Sequence, residues 1–166
     1  MNHFQLFNLP QTFAIDLATL DTQYRRLQSE VHPDRFAAGS DVEKLQSLQL
    51  ATQANDAYQT LKNPLQRGRY LLQLRGLDTL EESNTAMPTA FLMQQMEWRE
   101  AIEDAGNVAA LEVLQQEIAD AENALQTKLG LALDHNDDAV STEAVRQLSF
   151  MDKLLTEIDS AIESLE

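Results

Sequence analysis

Cysteine is absent from this chain of 166 residues. Its absence excludes disulfide bonds, thiolate-bound zinc, iron–sulfur ligation by thiolates and a cysteine nucleophile. Basic residues are scarce as well: 12 Lys and Arg stand against 27 Asp and Glu, which gives a net charge of −15. Because a polyanion needs a basic binding surface, nucleic acid is disfavoured as a ligand.

Long apolar runs are also missing. The uninterrupted runs, such as Val108–Leu111, are far shorter than the ~20 residues of a membrane-spanning helix. The N-terminal residues Met1–Phe4 have neither the basic start nor the apolar stretch of a secretory signal. We therefore expect a soluble, cytoplasmic protein that does not bind membranes.

What the chain does contain is mostly helix-forming residues, above all Leu, Ala, Gln and Glu, with only five Gly and four Pro. This composition predicts an all-α fold. The charge is distributed unevenly: residues 1–75 hold eight basic and seven acidic side chains, and residues 76–166 hold four and twenty. We therefore predict two domains, 1–75 and 89–166, joined by a turn-rich linker at 76–88.

Apolar spacing and capping residues predict three helices in the first domain. One runs from a cap at Asp16 to about Val31, and a short one begins at Asn63-Pro64 and ends near Leu74. Between them lies a long helix capped by Ser40 or Asp41. Its predicted apolar stripe is Leu45, Leu48, Ala51, Ala54, Tyr58 and Leu61.

Three further helices are predicted to form a small bundle in the acidic domain. Thr89 is the expected cap of a helix over 90–105, and Asn107 that of a helix over 108–129, before Gly130. Ser141 or Thr142 is expected to cap a last helix over 142–165.

The most informative motif is His32-Pro33-Asp34, which chance alone often supplies as a tripeptide. Here Tyr24-Arg25-Arg26-Leu27 precedes it, and Asn55-x-Ala57-Tyr58-x-x-Leu61-x-x-Pro64 follows it. Together these segments resemble the J-domain of DnaJ-type co-chaperones. The resemblance implies an antiparallel helical hairpin with the His-Pro-Asp turn exposed at its tip.

That resemblance also implies a partner, an ATP-driven chaperone of the HscA/DnaK type whose ATP hydrolysis the J-domain accelerates. The J-domain performs no covalent chemistry, so the chain is not expected to be an enzyme. The implied chaperone-binding positions are Arg25, Arg26, His32, Pro33, Asp34 and Arg35.

Over its whole length the chain resembles the HscB family, the J-type co-chaperones of iron–sulfur cluster assembly. The segments that carry this resemblance are Phe4–Pro10, His32–Ala37, Ala90–Glu97 and Val145–Leu154. It implies a second partner, an IscU-type scaffold protein that carries the cluster. ATP and the cluster would belong to the partners, so no cofactor and no metal site are expected here.

The helix predicted at 90–105 has two apolar faces at about 100° per residue. Phe91, Trp98 and Ile102 share one face, whereas Leu92, Met93 and Met96 fall on another beside acidic residues. In the HscB family the matching positions bind the scaffold, and Met96 stands where Leu is usual. The implied scaffold-binding residues are Leu92, Met93, Met96, Glu97, Glu100, Asp104 and Phe150.

Alternatives remain open at this point. Leu92, Met93 and Met96 could pack within the protein itself, and Phe150 could pack on a neighbouring helix or be offered to a partner. The chain could instead be a general J-protein that delivers unfolded clients to DnaK. It could also be a helical interaction module in which the His-Pro-Asp turn is incidental.

Overall fold

The computed structural model describes residues 1–77, 79 and 87–166, and every regular element within these ranges is a helix. The all-α prediction is therefore confirmed. The seven α-helices are α1 (His3–Leu6), α2 (Leu17–Glu30), α3 (Asp41–Lys62), α4 (Pro64–Leu74), α5 (Thr89–Asp104), α6 (Val108–Asp134) and α7 (Asp138–Leu165). A short 3₁₀ helix, Pro33–Phe36, lies between α2 and α3.

The chain divides into two compact units, Met1–Leu71 and Leu72–Glu166, and the division falls inside α4. Residues 78 and 80–86 of the predicted linker lie outside the described residues. The start of that segment is a helix end, because the N–H groups of Gly76 and Leu77 donate to the carbonyls of Gln73 and Leu72. Gly76 has a φ of 81°, as this kind of helix C-terminus requires.

The first unit is built on the pair α2 and α3. Leu20 from α2 and Leu61 from α3 are fully buried, and each such side chain contributes roughly 1.5–3 kcal/mol through burial. The four-residue helix α1 adds the buried Phe4. Sequence spacing did not predict α1, because one turn is too short to show a period.

The second unit is a bundle of α5, α6 and α7. Its core contains Trp98 from α5, packed with buried residues of α6 and α7. These residues are Leu111, Ile118, Met151, Leu154 and Ile158. Phe91 and Ile102 pack against the same cluster, so the inward face predicted for α5 is correct.

Three predicted helix ends were wrong. At α5 the N-cap is Pro88, which makes no side-chain capping hydrogen bond, and Thr89 is the first residue of the helix. Helix α6 continues through Gly130 to Asp134, because burial of Leu133 and its neighbours outweighs the glycine penalty of ~1 kcal/mol. Helix α7 is capped by Asp137, whose side chain accepts the Val140 N–H, whereas Ser141 is buried inside the helix.

The predicted apolar stripe of α3 was wrong at its first two positions. Leu45 and Leu48 are both 55% exposed. The inward position in this part of α3 belongs to Ser47, which is buried, and Ala54 follows it two turns later. Because Ser47 and Leu48 differ by about 100° around the helix, Leu48 cannot share the inward face.

Candidate functional site

The His-Pro-Asp turn is built by helix-terminal hydrogen bonds. Helix α2 ends where the N–H of Val31 donates to the carbonyl of Leu27. His32 then caps the 3₁₀ helix, because its Nδ1 accepts the N–H of Asp34 at 3.1 Å. Pro33 at the first position of that helix restricts the backbone further. The imidazole is therefore part of the turn's scaffold.

The Asp34 carboxylate is held outward by this arrangement. One of its oxygens lies 3.6 Å from His32 Nδ1. The Asp34 side chain is 92% exposed, so its charge is available to a cationic partner group.

A buried hydrogen bond behind the turn was not predicted from the sequence. Ser47 Oγ donates to the carbonyl of Val31, the residue just before His32. Ser47 is buried, and so is Val31. The bond ties the end of α2 to α3 and satisfies a carbonyl that the helix end leaves without a helical partner. Nothing in the local sequence signals a contact that spans 16 residues.

The predicted basic residues lie on an exposed surface. Arg25, Arg26 and Arg35 are all exposed. Arg25 shares an open cleft with His32 and Pro33; its remaining lining residues are Gln28, Ser29 and Ala51. The structure therefore brings three of the six predicted chaperone-binding residues around one cleft, while Arg26, Asp34 and Arg35 do not line it.

Two tyrosines hold α2 against α3 next to this surface. The rings of Tyr24 and Tyr58 stack with centroids 4.0 Å apart. Tyr58 donates its hydroxyl to Asp21 at 2.6 Å, and this hydrogen bond raises the pKa of Tyr58. Tyr24 donates to Asn55 at 3.1 Å. These contacts fix the rotation of α2, and hence the direction of Arg25.

The predicted scaffold-binding residues of α5 lie on the side of the helix opposite Trp98. Met93 and Met96 are 56% and 63% exposed, so the alternative that they pack within the protein is wrong. Leu92 is half-buried. The acidic residues of this face, Glu97, Glu100 and Asp104, are all exposed. We call Leu92, Met93, Met96 and these three acids the α5 patch.

Phe150 on α7 is half-buried, and the alternative that it packs on a neighbouring helix is confirmed. Its ring packs edge-on against Phe91, with centroids 6.1 Å apart. The ammonium of Lys153 lies 5.7 Å from the centroid of the Phe150 ring. Since Phe91 belongs to α5, this contact places Phe150 beside that helix, with part of the ring open to solvent.

Residues 1–77, 79 and 87–166 contain neither a candidate metal site nor a candidate membrane-spanning helix. Within them, no three His, Asp or Glu side chains are grouped so that they could hold a metal ion. None of the described helices is long and apolar enough to cross a membrane.

Comparisons with known proteins agree in pointing to one family. The profile described as the HSCB C-terminal oligomerisation domain matches residues 87–159. A protein of Burkholderia mallei named "Co-chaperone protein HscB homolog" is 55% identical, and the match covers 99% of this chain and 96% of that one. A similar protein of Paraburkholderia phymatum, with the same name, is 52% identical over the same shares.

Solved structures give the same result. Chaperone HscB from Vibrio cholerae matches with a TM-score of 0.88 at 36% identity, covering 100% of both chains. The human co-chaperone protein HscB matches with a TM-score of 0.93 at 30% identity, covering 96% of this chain and 81% of that one. Sequence and structure thus agree over essentially the full length, and the chain belongs to the HscB family of co-chaperones.

Proposed function

We propose that this co-chaperone accelerates ATP hydrolysis by an HscA/DnaK-type chaperone through its first unit. The support is the exposed carboxylate of Asp34 in the turn that follows α2, together with the exposed side chains of Arg25, Arg26 and Arg35. A basic face attracts an acidic partner surface and speeds their association. The rigid His32–Asp34 turn would then present its carboxylate in one fixed geometry.

The second unit is proposed to hold an IscU-type scaffold protein on the α5 patch and Phe150. One observation carries this part: exposed Met93 and Met96 stand among exposed acids on a helix whose other side is anchored by buried Trp98. An apolar patch with a charged rim is typical of protein-binding surfaces. Unbranched methionines also adapt well to a partner's shape.

The proposed mechanism is that one chain holds the chaperone and the scaffold at the same time. Tethering converts the meeting of chaperone and scaffold into an intramolecular event at high effective concentration. ATP hydrolysis would then close the chaperone on the scaffold and help to transfer its cluster. The chain itself makes and breaks no covalent bond, and ATP and the cluster belong to the partners. The proposed location is the cytoplasm.

The chaperone-binding half is tested by the ATPase rate of an HscA-type chaperone. Wild-type protein should stimulate it, and scaffold should increase that stimulation more than additively. Asp34→Asn keeps the size of the side chain and removes its charge, so stimulation should be lost. Stimulation of DnaK that ignores the scaffold would instead indicate a general J-protein. No stimulation of either chaperone would mean that the His-Pro-Asp turn is incidental.

The scaffold-binding half is tested by titration calorimetry with the scaffold. Met93→Ala/Met96→Ala should weaken binding at least tenfold, because central apolar contacts are each worth ~1–2 kcal/mol or more. Val113→Ala is the control, since Val113 is also an exposed apolar residue of the same unit, at 70% exposure. Equal affinities for the two variants would refute the site assignment.

A further inference from the structure

The five methionines of this chain differ sharply in exposure. Met93 and Met96 are more than half exposed, whereas Met87 and Met151 are 8% and 1% exposed. Met1, at the chain start, is also exposed. Because the chain has no cysteine, the methionine thioethers are the groups that hydrogen peroxide oxidises most readily. The two internal sulfurs open to solvent both lie in the α5 patch.

The positions of Met93 and Met96 in the fold also distinguish them from the buried methionines. Met93 and Met96 stand three residues apart in α5, so their side chains are neighbours on one helix face. The Met151 sulfur is inside the bundle core, where it accepts a hydrogen bond from Gln95 Nε2 at 3.1 Å. A small oxidant in solvent therefore reaches the patch sulfurs long before the core sulfur.

We propose that Met93 and Met96 form an oxidation site that controls docking on the α5 patch. Hydrogen peroxide transfers one oxygen atom to each thioether sulfur. The sulfur lone pair supplies two electrons, the O–O bond breaks, and the products are one methionine sulfoxide and one water. Reduction by a methionine sulfoxide reductase returns the thioether. This inference rests on the proposed scaffold-binding function.

Oxidation changes the patch in the direction that opposes docking. A sulfoxide oxygen is a hydrogen-bond acceptor. Burying it in an interface without a donor loses its hydrogen bonds to water, which makes binding less favourable. The neighbouring rim side chains, Glu97 and Glu100, are carboxylates and offer no donor when ionised. We therefore expect each sulfoxide to weaken scaffold binding on the order of tenfold.

The experiment treats the full-length protein with hydrogen peroxide in a time course. Tandem mass spectrometry locates the gain of about 16 Da per oxygen, and calorimetry measures scaffold affinity on the same samples. Sulfoxide should appear at residues 93 and 96 before 87 and 151, and the affinity should fall as it appears. Treatment with a methionine sulfoxide reductase should restore it.

The matched control is Met93→Leu/Met96→Leu, which keeps an apolar patch of similar volume and retains Met1, Met87 and Met151. Its scaffold affinity should be the same before and after peroxide treatment, because no thioether remains in the α5 patch. Oxidation of Met87 or Met151 ahead of the patch would overturn the inference. So would unchanged affinity of wild-type protein oxidised at both patch residues. If untreated Met93→Ala/Met96→Ala binds like wild type, the proposed scaffold site itself has failed.

Discussion

Replacing Ser47 with alanine should destabilise the first unit and loosen the turn that carries Asp34. The substitution removes the donor to the Val31 carbonyl and leaves that buried acceptor without this partner. Leaving a buried acceptor unpaired costs about 1–3 kcal/mol. For a unit of this size, each kcal/mol corresponds to a fall in Tm of about 4–8 °C.

Thr52→Ala on the same helix is the matched control. Thr52 Oγ1 also donates to a backbone carbonyl, that of Leu48, at 3.0 Å, but both residues are exposed. Water replaces such a bond, so we expect a loss within about 0.5 kcal/mol. The measurement is thermal unfolding of the two variants followed by circular dichroism.

The same pair of variants separates stability from function. At a temperature where Ser47→Ala is fully folded, it should need severalfold more protein for half-maximal ATPase stimulation, while Thr52→Ala behaves like wild type. The reason is that Val31 directly precedes His32, so a loosened Val31 lets the turn sample other conformations. Equal Tm values for Ser47→Ala and Thr52→Ala would refute the reasoning about this buried hydrogen bond.

Two further substitutions test other features of the fold. Gly76→Ala should lower the free energy of unfolding by about 1 kcal/mol, because Gly76 has a φ of 81°, which alanine rarely adopts. In Gly106→Ala the added methyl meets no atom within 4 Å, so the midpoint of chemical denaturation should be unchanged or slightly raised. Equal losses of stability at both positions would contradict this. Burial, and secondarily the charge of Asp152, raise the pKa of Glu122. The folded state therefore favours protonated Glu122, and its ionisation costs stability as the pH rises above the ordinary glutamate pKa. Glu122→Gln should accordingly raise the free energy of unfolding at pH 7 by less than about 1 kcal/mol, since the group is partly solvated. This gain should shrink on acidification towards pH 4. A gain that is the same at both pH values, or that exposed Glu112→Gln also gives, would contradict the role of burial.

Helix interiors were predictable wherever local signals agree. Helix α2 has a capping aspartate at Asp16, a regular apolar spacing and a proline at 33, and the structure places it at Leu17–Glu30. The start of α7 was not predictable in this way, because Asp137 and Ser141 are both good capping residues. Tertiary packing decides between them, since Ser141 is fully buried in the folded protein.

Parts of the candidate site could also be predicted from the sequence. The helical period placed Trp98 away from Met93 and Met96, and the structure has Trp98 buried and both methionines exposed. The exposed positions of Leu45 and Leu48 were missed, because a polar Ser47 takes the inward place on α3. Its bond to Val31 depends on how α2 and α3 pack, which the spacing of apolar residues does not encode.

The proposed function requires the His-Pro-Asp turn and the α5 patch to lie on one chain. The most direct measurement is the scaffold-dependent ATPase rate in a mixture of Asp34→Asn with Met93→Ala/Met96→Ala. Each variant keeps the site that the other has lost, so both sites are present in the mixture but never tethered. The mixture should fail to restore the synergy of wild-type protein. Full restoration would contradict the proposed tethering of both sites on one chain.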